Sequence, residues 1–317
     1  MTGGDSPAAD AGALGRAAES SGSKETVAAT ALRCPACRKP LTGEATALTC
    51  LGCDAIYATV DGQPDLRLPA PRPAQLTVQI GGPPPDVPPI ELDPNPRPEI
   101  ELSGLDLPPT ISHRFATWLP RASRPDAVAL DLGCGDTRAR PLLEKAGYRY
   151  VGIDYTAPEA SYLADAHALP FAAETFDLVA TTAVIEYLRH PYVAMQEVHH
   201  VLRPGGVFAG NVGFLVPYLP VTYFHHTHMG ILSTLTHAGF TVDRLLLDRR
   251  WTALEATTQM SYFSRMPPAA LALIVRPQRG LHRLWWGLGS RFGPRRLPES
   301  ERYLRVTADV EFIAVKS

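Results

Sequence analysis

The chain has 317 residues, of which 45% are hydrophobic, and its formal net charge at pH 7 is −2. This length predicts one large domain or one domain with an appendage, and the near-neutral charge gives no general indication of a nucleic-acid partner. No apolar run is long enough to span a bilayer, and the N-terminus lacks the pattern of a secretion signal. Four of the five cysteines lie within twenty residues, so we expect reduced thiols and a cytoplasmic location.

Composition divides the chain into four predicted segments. Residues 1–30 are rich in Ala, Gly and Ser and are expected to be disordered. Residues 31–68 form a compact cysteine module. Residues 69–109 carry eleven prolines between Pro69 and Pro98 and are expected to form a semi-rigid linker. The main domain follows at residues 110–317, and we expect it to fold independently of the cysteine module.

The cysteine module contains two C-x2-C pairs separated by twelve residues, formed by Cys34, Cys37, Cys50 and Cys53. Two such pairs supply four thiolates to a tetrahedral zinc ion, and the alternative is a pair of disulfides. A module of this size needs a crosslink to hold its fold. The pattern therefore predicts a structural zinc ribbon with no open coordination position.

In the main domain, short apolar strands alternate with amphipathic helices. In chain order, the strands are "AVALDLG", "YRYVGID", "FDLVATT", "GGVFAGNVG", "FTVDRLLLD" and "RVTADVEFIAVKS", and helices are predicted at residues 138–146, 192–201 and 231–237. This alternation predicts a doubly wound α/β fold with a mostly parallel Rossmann-like sheet. Ligands of such sheets bind at the carboxyl ends of the strands.

The stretch "LDLGCGD" places a carboxylate, Asp131, before a glycine turn. The third glycine of a dinucleotide fingerprint would fall at Arg138, and a carboxylate here repels a pyrophosphate. S-adenosylmethionine (SAM) suits the pattern better, because its methionine end is cationic and carries no phosphate. Asp154, nineteen residues after Gly135, ends the second strand and is positioned to accept hydrogen bonds from ribose hydroxyls. In "ADAHALPF", Asp165 is positioned near the adenine.

Five motifs, "LDLGCGD", "GIDY", "DAHALPF", "ETFDLV" and "EVHHVLRPGGVF", occur in an order and spacing that resemble class I SAM-dependent methyltransferases of the type 11 group. The resemblance implies a seven-stranded sheet with an antiparallel last strand, and SAM as the cofactor. The predicted cofactor site consists of Asp131, Gly133, Cys134, Gly135, Asp154, Tyr155, Asp165, Ala166 and Thr182. Cys134 is a small residue of the turn with no assigned chemistry. A dehydrogenase or an inactive sheet is the alternative.

The stretches "LRCPACRKPL" and "AIYATVDGQPDLRL" resemble the small zinc-ribbon proteins that act as activator subunits of methyltransferases. Some ribosomal-RNA guanine methyltransferases also carry an N-terminal zinc ribbon. Within residues 31–68, the four basic residues Arg33, Arg38, Lys39 and Arg67 are balanced by the four acids Glu44, Asp54, Asp61 and Asp65. A module that contacts phosphates is expected to show a basic excess. The balance favours a packing or substrate-covering role.

The acceptor is expected to contact the loops after the later strands. The segment 218–229 follows the fourth strand and holds His225, His226 and His228. A neutral imidazole there is a candidate general base for a hydroxyl acceptor. The alternatives are ordinary surface or capping histidines, or a histidine metal site.

Residues 251–298 separate the last two strands and contain an apolar helical stripe flanked by arginines. The stripe consists of Leu281, Leu284, Trp285, Leu288 and Phe292, and the arginines are Arg276, Arg279, Arg283, Arg291, Arg295 and Arg296. We expect a helix packed over the mouth of the active site. Alternatives are contact of residues 276–296 with a membrane surface or lipid-like substrate, or with a nucleic acid or acidic substrate.

Together these observations predict a SAM-dependent methyltransferase that acts on a small or medium-sized organic acceptor. The abundance of Ala, Pro and Arg fits a GC-rich genome and secondary metabolism. An RNA nucleobase methyltransferase is the alternative enzyme. A SAM-binding regulatory or scaffold protein, in which the ribbon recruits a partner, is the non-enzymatic alternative.

Overall fold

The computed structural model of the chain describes residues 26–44, 46–78, 80–216, 221–261, 267–292 and 297–317. Its α-helices in chain order are α1 His113–Trp118, α2 Arg140–Lys145, α3 Pro191–Val201, α4 His228–His237, α5 Ala253–Ser261, α6 Pro268–Phe292 and α7 Glu299–Leu304. None of these has both the length and the apolar composition that crossing a bilayer requires. The segment expected to be disordered, 1–30, lies outside the described residues as far as residue 25.

The cysteine module contains a small antiparallel sheet. Its strands, in sequence and in sheet order, are β1 Leu41–Glu44, β2 Ala47–Cys50, β3 Ile56–Val60 and β4 Gln63–Pro64. Each connection joins neighbouring strands, so the sheet is a meander. We call this module, residues 31–68, the ribbon.

In the part of the chain that the structure describes, the main sheet has eight strands. In chain order they are β5 Ile90–Glu91, β6 Val128–Leu132, β7 Arg149–Asp154, β8 Tyr162–Leu163, β9 Phe176–Thr181, β10 Leu202–Gly213, β11 Phe240–Leu246 and β12 Asp309–Lys316. Their order across the sheet is β5-β11-β12-β10-β9-β6-β7-β8. The last strand, β12, runs antiparallel to both its neighbours. The five strands that lie side by side in the order β10, β9, β6, β7 and β8 are mutually parallel. The α/β fold with an antiparallel last strand is confirmed.

Hydrophobic packing covers both faces of this sheet. Leu130 and Leu132 of β6 belong to one buried cluster together with residues of α3 and α4. Ala129, the residue before Leu130, belongs to a second cluster with residues of α1 and α2. Because successive side chains of a strand point to opposite faces, the sheet is covered by helices on both sides.

One strand more than the seven implied by the resemblance is present: β5, which comes from the Pro-rich segment and was not expected. Ile90 and Glu91 pair in parallel with β11 at one edge of the sheet. Further along, the Trp118 indole donates to the carbonyl of Asp93 at 3.1 Å. The segment therefore leads from the ribbon to the opposite edge of the sheet and covers that edge, which limits edge-to-edge association.

The ribbon packs directly against the main domain, which agrees with the packing role that its balanced charge favoured. Leu66 N donates to Leu163 O at 2.8 Å, and Arg33 N donates to Pro170 O at 2.9 Å. Leu32 and Leu66 are buried in the same cluster as Val151 of β7. The free energy of folding of the ribbon is therefore linked to that of the main domain.

Helix α6 does not bury its apolar stripe. The side chains of Leu281, Leu284, Trp285 and Leu288 are 65%, 61%, 73% and 43% exposed. The expected packing of this stripe over the active site is therefore wrong for these four residues. The side chain of Phe292 and the whole of Arg295 and Arg296 lie outside the described residues.

Candidate functional site

A glycine turn joins β6 to the segment before α2. Gly133 and Gly135 have φ angles of +74° and +49°, which glycine adopts at little cost. The amides of Gly133 and Cys134 both donate to the carbonyl of Ile153 at 2.9 Å. A Cβ at Gly133 would lie 2.4 Å from the side chain of Val184. The backbone conformation and the close packing both require glycine at position 133.

Asp154 ends β7 and connects the glycine turn to the next loop. One carboxylate oxygen accepts from Gly135 N at 3.1 Å. The other accepts from Thr156 N at 2.9 Å and from Ala157 N at 3.0 Å. A carboxylate offers about four acceptor positions, so these three amides leave Asp154 able to accept at least one further hydrogen bond from a hydroxyl. Tyr155, beside it, is exposed.

Asp131 lies in β6, two residues before Gly133, and is almost fully buried. Its carboxylate accepts a hydrogen bond from the hydroxyl of Tyr150 at 2.9 Å. Burial raises the pKa of Asp131 to about 7; the hydrogen bond from Tyr150 opposes this shift and the negative charge of Asp154 adds to it. Burial also raises the pKa of the Cys134 thiol, so this thiol stays protonated near neutral pH and is a poor nucleophile.

The loop after β8 holds Asp165 and Ala166. Asp165 accepts from the backbone N–H of His167 at 2.9 Å and from its Nδ1 at 2.6 Å. Burial would raise the pKa of Asp165, but these hydrogen bonds outweigh it and the pKa is lowered. His190 N donates to Nε2 of the same imidazole at 3.1 Å, which fixes its ring orientation.

Thr182 follows β9 and meets the segment before α1. Its hydroxyl lies 3.5 Å from that of Thr110. Asn211 of β10 accepts from Ala183 N at 2.7 Å and donates to Thr110 O at 3.2 Å. We did not identify Asn211 from the sequence. The only signal was a polar residue near the end of an apolar strand. All the predicted cofactor residues therefore lie along the carboxyl edge of β6, β7, β8 and β9 or beside it.

The ribbon supports the loop that follows Asp154, a feature the sequence did not indicate. The buried side chain of Gln63 donates through Nε2 to Ala157 O at 3.1 Å and to Ala160 O at 2.7 Å. Arg67 donates to Tyr155 O at 3.1 Å, and its guanidinium lies 5.3 Å from the centre of that tyrosine ring. The ribbon therefore restrains the loop beside the predicted ribose site.

The four cysteines of the ribbon lie together. Their sulfur atoms are all within 4.8 Å of one another, with Cys34 and Cys53 at 3.7 Å and Cys37 and Cys50 at 3.3 Å. Tetrahedral zinc with Zn–S bonds of about 2.3 Å places sulfur atoms about 3.8 Å apart, so the cluster fits this metal. All four are free cysteines. The Tyr57 hydroxyl, 3.1 Å from the sulfur of Cys34, supports that ligand from outside the cluster.

The three candidate histidines occupy different environments. His226 is buried, its backbone N–H donates to Gly213 O at 3.1 Å, and its Nδ1 has no hydrogen-bond partner among the described residues. Burial and then the neighbouring His225 lower the pKa of His226. His225 is exposed, and His228 begins α4 with its pKa lowered by burial. The described residues show no contact between these side chains and the predicted cofactor residues.

A cavity of about 650 Å³ brings two of these histidines together with parts of three other segments. It is lined by Leu68, Arg72, Ala74, Leu76, His167, Arg189, His190, Pro191, Tyr192, Val193, Phe224, His225, His226, Thr227, Gly230 and Thr234. His167 connects the cavity to Asp165 of the predicted adenine site. His228 is not part of its wall. Tyr218, at the start of the segment expected to cover the substrate, lies outside the described residues.

Comparison with known proteins identifies the central segment. The family model described as a methyltransferase domain matches residues 130–210. The rat (Rattus norvegicus) mitochondrial arginine-hydroxylase NDUFAF5 is 30% identical in an alignment of 112 residues that covers 32% of this chain and 33% of that protein. The malonyl-acyl-carrier-protein O-methyltransferase of Salmonella typhimurium is 32% identical over 94 residues, 26% of this chain and 38% of that protein. The matched region spans about a third of these relatives' length.

Two solved structures are also similar. One is a chain in the complex of the Haloferax volcanii Trm112 methyltransferase activator with a methyltransferase, at 19% identity and a TM-score of 0.41, covering 64% of this chain and 86% of that one. The other is a SAM-dependent methyltransferase from Mesorhizobium loti, at 15% identity and a TM-score of 0.40, covering 63% and 95%. The family match places a methyltransferase domain at residues 130–210, and the strand order of the sheet agrees with the fold expected of class I SAM-dependent methyltransferases.

Proposed function

We propose that the protein transfers a methyl group from SAM to a small or medium-sized organic acceptor. The observation that carries this proposal is the carboxyl edge of the sheet, where the glycine turn, Asp154 and the Asp165 loop are joined within one hydrogen-bonded unit. Displacement of the sulfonium methyl needs mainly alignment of donor and acceptor. Hydrogen-bonded loops of this kind can hold the cofactor in a fixed position and orientation.

The charge of the ribbon argues against RNA as the acceptor. Arg38 pairs with Glu197 of α3, and Arg67 pairs with Asp65 at 2.5 Å. Half of the four ribbon cations are therefore occupied by carboxylates and are poorly placed to bind phosphates. The ribbon contacts the main domain instead, and we propose that it stabilises the cofactor loops as a built-in counterpart of an activator subunit.

The experiment that tests this function uses SAM labelled with tritium in its methyl group. The full chain is incubated with a small-molecule extract and, separately, with total RNA. We expect labelled organic product and no labelled RNA. Label in RNA would favour the nucleobase methyltransferase. Tight SAM binding with no labelled product and a co-purifying protein would favour the regulatory alternative.

Of the three candidate bases, we propose His226. It is the buried one, and its Nδ1 is not engaged by the described residues. Its lowered pKa keeps the imidazole neutral near pH 7, which is the form that accepts a proton.

The prediction is that His226→Ala lowers turnover of a hydroxyl acceptor by roughly 10²–10⁴-fold and leaves SAM affinity unchanged. His228→Ala is the matched control, since it does not line the cavity, and should be nearly as active as wild type. Turnover and calorimetric SAM affinity are measured side by side, together with His225→Ala. Full activity of all three variants would eliminate a histidine base, and parallel loss of SAM affinity would assign His226 to the fold.

The raised pKa of Asp131 predicts how SAM affinity depends on pH. Its carboxyl has a pKa of about 7 in the protein, and the cationic methionine end of SAM is stabilised by the ionised form. Below that pKa, binding must first remove a proton, so affinity should rise from about pH 6 to about pH 8, by at most about tenfold per unit. In Asp131→Asn this slope should disappear. An equal slope in calorimetric titrations of both proteins would exclude Asp131 as its source.

A further inference from the structure

The cavity beside the adenine loop has mostly apolar walls. Leu68 is the last residue of the ribbon, Ala74 and Leu76 lie in the segment after it, and Val193 and Phe224 come from the main domain. At about 650 Å³, the cavity falls within the roughly 300–1,000 Å³ range of small-molecule sites. Its size and walls suit the apolar body of a small organic molecule.

The polar groups of the same cavity are all cationic or neutral. Arg72 and Arg189 line it, together with four histidines, and none of the described lining residues is acidic. Of the carboxyl groups near it, Asp165 accepts from His167 and Glu197 pairs with Arg38. Burial raises the pKa of Glu186, whose backbone carbonyl accepts from Phe224 N at 3.2 Å. The cavity also borders the first turns of α3 and α4, where helix dipoles favour negative charge.

Two polar atoms of the cavity wall lack a hydrogen-bond partner among the described residues. Nδ1 of His226 and Nε of Arg72 are buried and have no hydrogen-bond partner among the described residues. His226 is 6% exposed. Buried polar atoms are normally hydrogen-bonded in native proteins, so these two atoms indicate that a ligand completes the site.

We propose that this cavity binds a small organic anion, with its apolar body against the leucines and Phe224 and its carboxylate, sulfonate or phosphate at Arg72 and Arg189. This site does not depend on methyl transfer, because binding needs neither SAM nor turnover. If the bound anion gains a methyl group when SAM is added, it is the acceptor. If it is released unchanged, it is an effector.

The test compares decanoate with decanol, which share an apolar chain and differ in charge. Isothermal titration of the full chain without SAM should show decanoate binding at least about tenfold more tightly than decanol. The double variant Arg72→Gln, Arg189→Gln should lose at least about tenfold in decanoate affinity and keep its decanol affinity. The matched control, Arg276→Gln, alters an exposed arginine of α6 and should bind decanoate as wild type does.

The melting temperature of the double variant shows whether it has a fold defect. A second double variant, Arg72→Lys, Arg189→Lys, keeps both positive charges and should retain most of the decanoate affinity. Equal binding of decanoate and decanol by wild type would overturn the anionic site. Unchanged decanoate affinity in the double variant would also overturn it. Neither result depends on whether the protein transfers methyl groups.

A second and independent inference concerns α6. Its inner face is held by the domain: Val275 is buried, Arg279 pairs with Glu255 at 2.6 Å, and the ring of Trp286 lies 5.5 Å from that of Tyr303. Its outer face presents Leu281, Leu284, Trp285 and Leu288 to solvent, all exposed, with Leu273 at 73%. The helix is therefore attached by one side and leaves a continuous apolar strip on the other.

The charge along the segment that contains this strip has one sign. Residues 262–298 contain seven arginines and no aspartate or glutamate. Arg276, Arg283 and Arg291 are exposed in the described part of this segment. Exposed leucine and tryptophan flanked by arginine is the pattern of a helix that lies in the surface of an anionic bilayer.

We infer that α6 binds the surface of an anionic membrane through this apolar strip. The full chain should co-sediment with vesicles of phosphatidylserine and phosphatidylcholine, and much less with phosphatidylcholine alone. Binding should weaken as salt is raised. The variant Leu284→Gln, Trp285→Gln should lose at least about tenfold in vesicle affinity and keep its SAM affinity and melting temperature.

Equal co-sedimentation of the variant and the wild type would overturn this inference. So would a stable dimer in analytical ultracentrifugation that dissociates in the same variant, because the strip would then be covered by a second copy of the chain. Variants of the cavity arginines serve as the control and should bind vesicles as wild type does.

Discussion

Replacing Cys50 with serine is expected to remove bound metal and to lower the melting temperature of the whole protein by at least about 10 °C. The sulfur of Cys50 is buried in a cluster of four thiols whose spacing fits tetrahedral zinc. Zinc binding contributes roughly 10–16 kcal/mol in small zinc-finger peptides. Loss of one ligand removes much of this contribution.

The effect should extend beyond the ribbon. Leu32 and Leu66 share a buried cluster with the main sheet, and Gln63 holds the loop after Asp154 through two hydrogen bonds. Unfolding of the ribbon would expose that cluster and release the loop. SAM affinity should therefore fall together with the metal content.

Metal analysis, thermal melting and SAM titration of the same preparations test this prediction. Wild type should contain close to one equivalent of zinc. Cys134→Ser is the matched control, because Cys134 lies outside the cluster, and it should retain the zinc. Protein that is free of metal and holds two disulfides by mass spectrometry would contradict the zinc assignment.

Asp154→Ala should weaken SAM binding by at least tenfold. The carboxylate is positioned to accept hydrogen bonds from the two ribose hydroxyls, and each charge-assisted bond contributes about 1.5–3 kcal/mol. The same side chain also accepts from three backbone amides, including that of Gly135 at 3.1 Å. Removing it therefore loosens the glycine turn as well as the ribose contact.

Calorimetric titration with SAM measures this loss, and Asp154→Asn separates its two parts. The amide keeps one acceptor oxygen and should show an intermediate affinity. Asp177→Ala serves as a control, since Asp177 pairs with Arg124 at 2.9 Å at the opposite, amino end of β9. Unchanged SAM affinity in Asp154→Ala would place the cofactor elsewhere.

The strands and the acidic positions at their ends could be predicted from the sequence because local chemistry determines them. Apolar runs such as "AVALDLG" favour buried strands. Gly133 and Gly135 adopt positive φ angles, which the glycine-rich turn indicated. The spacing of the four cysteines indicated one metal centre, and their sulfur atoms lie together.

The features that were missed depend on contacts between distant parts of the chain. Arg38 reaches Glu197 across 159 positions, and Gln63 reaches Ala160 across 97. No local pattern specifies such pairs, so the particular contacts of the ribbon with the cofactor loops were not predicted, although its balanced charge favoured a packing role. Likewise, the periodicity of α6 showed that one face is apolar but did not show what lies against that face.

The most direct test of this account is a crystal structure of the full chain with S-adenosylhomocysteine. We predict that both ribose hydroxyls lie about 2.5–3.0 Å from the carboxylate oxygens of Asp154. The adenine should lie against Asp165 and Ala166, and the methionine part against the Gly133 turn. A ligand bound elsewhere, or a ribose that does not contact Asp154, would contradict the proposed cofactor site.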